Sequence, residues 1–127
     1  MPRKKEKIKA PRHYGCHKEI PRKDKRQKIW SQQRKERGFD DTETWSLDWT
    51  IFKFVLPRLK RFKEVTCGYP PDLNNMKEWR KELNEMIYAI DIYVKESTNY
   101  DGRPEKERKK IEKGLNLFFE RFYNLWW

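Results

Sequence analysis

The chain has 127 residues, of which 40% are charged and 35% hydrophobic, and its formal charge is +11. That length holds one domain, or one domain with a tail. No apolar run approaches the roughly 18 residues that a membrane-spanning helix needs, and the basic N-terminus has no apolar stretch of the kind a secretory leader carries.

The charge is unevenly placed. Residues 1–37 hold fifteen Lys or Arg and four acids, whereas residues 38–127 hold sixteen of each. The whole excess therefore lies in the first 37 residues, and such asymmetry points to a polyanionic partner for that segment. Three prolines (Pro2, Pro11, Pro21) and few apolar side chains predict a disordered arm to about residue 26. A short helix is expected over Lys25–Arg37, around Ile29 and Trp30, with Gly38 ending it.

Asp40-x-x-Glu43 has the form of a capping box, so a helix should start there. Trp45, Trp49, Phe52, Val55, Leu56, Leu59 and Phe62 recur at three- and four-residue steps on one face of it. Pro57 lies inside this run, where it removes a hydrogen bond and crowds the preceding turn; a kink or a break is expected there. Gly68, Pro70 and Pro71 then form a loop.

Asn75-x-x-Glu78 caps the next segment, in which Met76, Trp79, Leu83, Met86, Ile87, Ile90 and Val94 give the most regular helical stripe in the chain. Residues 97–104 read as a linker, with Pro104 suited to a first helical position. Ile111, Leu115, Phe118, Phe119, Phe122 and Trp126 form the last stripe. Gly114 costs that helix about 1 kcal/mol against Ala and is expected to admit a bulky neighbour. No segment alternates as a strand does. The pattern predicts an all-α fold. It is a small bundle of three main helices (residues 38–127), the first kinked at Pro57, behind a basic, largely disordered arm (residues 1–37).

Four groups of residues could carry chemistry. The first is the arm: Arg3, Lys4, Lys5, Lys7, Lys9, Arg12, Lys18, Arg22, Lys23, Lys25, Arg26 and Lys28 supply cations, which bind phosphates by displacing condensed counterions. Tyr14 and Trp30, interleaved with them, could stack on unpaired bases. The second is Arg58, Lys60, Arg61 and Lys63 after Pro57, a candidate anion or nucleotide pocket if the bend makes them converge; the plainer reading is a solvated face opposite Leu59 and Phe62. The third is Asp48, placed on the expected core face, with Asp91 beside the Ile87/Val94 stripe. Carboxylates there need partners, and a structural polar role outweighs an acid/base one. The fourth is His13-x-x-Cys16-His17, which with Cys67 could offer four zinc ligands. The adjacency of Cys16 and His17 and the absence of a second close pair argue against a metal. No nucleophile–base set and no phosphate-loop or dinucleotide fingerprint is present, so neither a catalytic residue nor a cofactor is expected.

Arg37-Gly38-Phe39-Asp40-Asp41, Thr44-Trp45-x-x-Asp48, Leu56-Pro57-Arg58-Leu59-Lys60-Arg61-Phe62, Gly68-Tyr69-Pro70, the Trp79-centred helix and Gly114-Leu115-x-Leu117-Phe118 with Leu125-Trp126 together give the chain a likeness. From about residue 37 to its end, it resembles a family of small bacteriophage-encoded helical proteins without an established function. That resemblance implies action in the cytoplasm of an infected bacterium, in host manipulation or anti-defence; it supplies no site residue. Three readings follow: a nucleic-acid-binding accessory protein working through its arm, a protein inhibitor of a host nuclease or defence complex, and a sponge that captures a nucleotide signal in the bundle. The exposed C-terminal aromatics also allow self-association.

Overall fold

The computed structural model describes residues 22–96 and 102–126, and all regular structure among them is helical. The elements are α1 (Gln27–Arg37), α2 (Thr42–Trp45), α3 (Leu47–Val65), α4 (Met76–Glu96) and α5 (Glu105–Glu120), followed by a 3-10 turn at Phe122–Asn124. They fall into two compact units that divide between Thr50 and Ile51. In that division α1 groups with the residues that follow it. Most of the disordered arm predicted from composition lies outside the described residues; its described part, Arg22–Arg26, turns into α1.

In the first unit, α1 ends as its sequence requires. Gly38 adopts φ 83°, a left-handed conformation open to glycine, and its N–H donates to the Arg34 carbonyl at 3.0 Å. The chain then reverses into the Asp40 cap. The Asp40 N–H donates to Glu43 Oε2 at 2.7 Å, while Asp40 Oδ1 accepts from the Thr42 N–H at 2.9 Å. The return arm of the expected capping box is thus in place, while the forward bond goes to the Thr42 N–H instead of that of Glu43. The helix it starts is only four residues long, because Ser46 leaves helical geometry (φ −131°, ψ 76°). The Ser46 carbonyl accepts the Thr50 N–H at 3.0 Å to open α3. The interruption therefore falls at Ser46, whereas α3 runs from Leu47 to Val65 with Pro57 inside it. The small core of this unit is Trp30, 1% exposed, meeting Trp45 edge-on at 5.6 Å.

In the second unit, Phe52 and Leu59 of α3, Trp79, Leu83, Met86 and Ile90 of α4, and Phe118 of α5 form one buried cluster. Phe52 meets Tyr93 and Phe118 edge-on at 4.9 and 6.1 Å, and Phe62 meets Trp79 at 6.4 Å. The α4 cap is as the sequence indicates, since Asn75 Oδ1 accepts the Glu78 N–H at 2.9 Å. The Glu78 carboxylate, however, reaches back to the Asn74 N–H at 2.8 Å. Pro104 lies one residue before α5, and its carbonyl accepts the Arg108 N–H at 3.1 Å.

Two expectations about α5 are corrected. Gly114 faces no bulky side chain: it is buried, and a Cβ there would stand 2.5 Å from Ala89 Cβ and closer still to the Glu85 carbonyl oxygen. The glycine lets the backbones of α4 and α5 approach. The last apolar stripe is also shorter than its spacing implies. Ile111 and Phe118 are buried, but Phe119 is exposed next to Phe118 on the helix, and Phe122 and Trp126 are exposed beyond its end at Glu120. There Arg121 turns inward. Its guanidinium donates to both carboxylate oxygens of Glu82, at 2.8 and 3.1 Å, and to Asp72 Oδ1 at 2.7 Å.

Candidate nucleic-acid interface

The cations of the arm separate into two kinds where they can be described. The three arginines of the first unit that face its acids are bound to them. Arg26 holds Asp24 through Nε at 3.1 Å and through its terminal nitrogen at 2.8 Å, while its guanidinium lies 5.0 Å from the Trp30 ring centre and 5.9 Å from that of Trp45. Arg34 pairs with the buried Asp40. Arg37 pairs with Asp41 at 2.6 Å, and Gln33 adds a bond to the other Asp41 oxygen at 2.8 Å. Arg22, Lys23, Lys25, Lys28 and Lys35 are exposed.

The acids register this arrangement. Hydrogen bonds from the Arg26 side chain and N–H draw the Asp24 carboxyl down to about 2. Burial pushes Asp40 up, yet the bonds from Thr42 and Arg34 outweigh it and hold the carboxyl below its ordinary value. Gln33 and Arg37 lower Asp41 in the same sense. A carboxylate that accepts several donors favours its charged form.

Trp30 and Arg26 were both candidate nucleic-acid contacts. The structure gives them an internal role: Trp30 is the core of the first unit, and Arg26 is committed to Asp24 and to the tryptophan faces. With its ring buried, Trp30 offers no platform to a base. Arg3, Lys4, Lys5, Lys7, Lys9, Arg12, Tyr14 and Lys18 lie outside the described residues, as do His13, Cys16 and His17.

The second candidate site does not assemble. Arg58 donates to the Phe54 carbonyl at 2.9 Å and packs 3.6 Å from the centre of its ring. Arg61 pairs with Glu64 at 2.9 Å, Lys63 donates to Asn84 at 2.9 Å, and Lys60 is exposed. Arg58, Arg61 and Lys63 each have their own neighbour, and none is shared. A concavity of about 280 Å³ does exist along α4 and α5, lined by Glu78, Lys81, Glu82, Glu85 and Lys113 with Leu73 and Leu117. Its three carboxylates suit no phosphate.

Asp48 is exposed, which corrects its expected place on the core face. Asp48 stands in the first turn of α3, and the buried residues of that helix, Phe52 and Leu59, lie further along it. Asp91 is half-buried and pairs with Lys95 one turn on, at 3.0 Å. Cys67 is exposed, and among the described residues no group of three or more His, Cys, Asp or Glu could hold a metal ion. No described helix is long and apolar enough to cross a membrane.

Sequence reasoning overlooked the partners of the arginines. The sequence marks Asp40 as a cap and gives Asp41 no role, although their position just past a helix-ending glycine is a signal: the reversal at Gly38 returns them to Arg34 and Arg37. Arg121 carried no local signal, because its partners lie 39 and 49 residues away.

No protein-family model, no curated protein and no solved structure matches the chain.

Proposed function

We propose that this is a non-enzymatic accessory protein, of the bacteriophage kind that the sequence resembles, whose basic N-terminal region binds nucleic acid. In this reading α3, α4 and α5 are the three main helices of a bundle that serves as scaffold, with a bend in α3 at Pro57. The protein would act in the bacterial cytoplasm.

One observation carries the reading. Asp24, Asp40 and Asp41 of the first unit are occupied by Arg26, Arg34 and Arg37, while Arg22, Lys23, Lys25, Lys28 and Lys35 stay exposed. Among the described residues, these five cations thus face outward, where they can meet phosphates. Internal pairing of the whole set would have removed the attraction.

The test is a titration of the full chain against fluorescent DNA and RNA oligonucleotides at rising salt. Contact with about six phosphates gives a fall of log K with log salt at a slope near −5. Absence of binding at about 50 mM salt, or a flat salt dependence, overturns the proposal.

A further inference from the structure

The two sides of α1 differ in kind. Trp30, Gln33, Arg34 and Arg37 lie on one side, which is tied down: Trp30 is buried, Gln33 and Arg37 bond Asp41, and Arg34 bonds Asp40. Lys28, Gln32 and Lys35 stand at i, i+4 and i+7 on the other side and are exposed. Such spacing aligns side chains along one face. Lys23 and Lys25, also exposed, precede this face in the chain. Glu36, the acid next to it, accepts from the Gln32 amide at 2.9 Å. The fixed side holds the exposed side in one orientation before any ligand arrives.

From this arrangement we infer that α1 is a docking helix for double-stranded DNA, with its Lys28–Gln32–Lys35 face set into the major groove and its lysines on the flanking phosphates. The inference rests on the nucleic-acid reading above and narrows it to one helix and one form of ligand.

Three physical arguments select the duplex. Single strands are held by aromatic platforms between cations; the aromatic residue of α1, Trp30, is 1% exposed and turned inward. The B-form major groove is about 12 Å wide and admits a helix about 10–12 Å across. The major groove of an RNA duplex is too narrow and deep for side chains to read. Eleven residues make α1 about 16 Å long, enough for Lys28 and Lys35 to stand about 10 Å apart along the groove. Lysine is a point charge without the planar fork of arginine, so this contact follows the phosphates and is indifferent to base sequence.

The experiment compares the full chain with the K28Q/K35Q double variant on a 20-base-pair DNA duplex, its single strand and the matching RNA duplex. Both substitutions are on exposed positions, and an unchanged far-ultraviolet circular dichroism melt verifies the fold. The expected result is tighter binding of the DNA duplex than of the other two ligands, and a salt slope for the double variant that is shallower by about 2. Equal affinity of the parent and the variant for the duplex, with equal slopes, overturns the inference. So does binding of the single strand or the RNA duplex as tight as that of the DNA duplex. In either case the proposed function stands, since the parent still binds nucleic acid; a parent chain that binds none of the three removes both.

Discussion

Gly114 of α5 lies so close to Ala89 of α4 that a Cβ on the glycine would come within 2.5 Å of the alanine methyl. Two effects oppose each other when Gly114 is replaced by Ala. Helix propensity favours the change by about 1 kcal/mol. Crowding against Ala89 and the Glu85 carbonyl costs about 1–3 kcal/mol, because a backbone atom cannot rotate away as a flexible side chain can. Crowding wins, and G114A is expected to melt below the parent in circular dichroism. A raised melting temperature would show that α4 and α5 separate freely.

Arg121 ties the end of α5 to Glu82 and Asp72, with 14% of its own side chain and 19% of that of Glu82 exposed. R121M keeps much of the stem but leaves a largely covered carboxylate without its cation, at a cost of about 1–3 kcal/mol. Asp72 is mostly exposed, so D72N should lower stability less than R121M does. Urea unfolding of the two variants orders them; equal losses would place the weight of the bridge on Asp72.

Trp30 is the large buried side chain of the first unit. Its truncation to alanine removes about 3–5 kcal/mol of packing, more than so small a unit can lose and stay folded. W30A should therefore abolish hydrogen-exchange protection of the α1 amides. Retained protection would mean that the arginine–aspartate pairs alone hold the helix.

The same unit should loosen in acid. Asp24, held near 2 by Arg26, and Asp40 and Asp41, both lowered, are depressed in the folded state relative to an ordinary value of 3.8. Groups shifted in this direction stabilise the fold above the unfolded value and lose that contribution as pH falls through the folded one. The window set by Asp24 runs from 3.8 down to about 2. Indole resonances of Trp30 and Trp45, followed by NMR from pH 7 downward, should hold steady to about pH 4 and move below it. D24N should weaken the dependence, and resonances unmoved down to pH 2 would contradict it.

Local signals were legible where the physics is local. The Gly38 terminus, the Asp40–Glu43 cap, the Asn75 cap and the inward face of α4 could each be read from neighbours three or four residues apart, because capping bonds and helical stripes span only that distance. Composition alone also located the charge. The break at Ser46 was less readable than the proline at 57, since a proline costs a helix interior a known penalty while a serine acts only when its surroundings let it.

The amino-acid order by itself determined an all-helical chain with balanced charge after residue 37 and a strong basic excess before it. The tertiary structure decided what those charges do. It turned Arg26, Arg34 and Arg37 toward Asp24, Asp40 and Asp41 and left Lys23, Lys25, Lys28 and Lys35 outside; it buried Trp30, exposed Asp48, and set Gly114 against the α4 backbone. The physical reason is that pairing and burial depend on which groups a chain reversal brings within about 3–4 Å, and a one-dimensional count of charges holds no such distances.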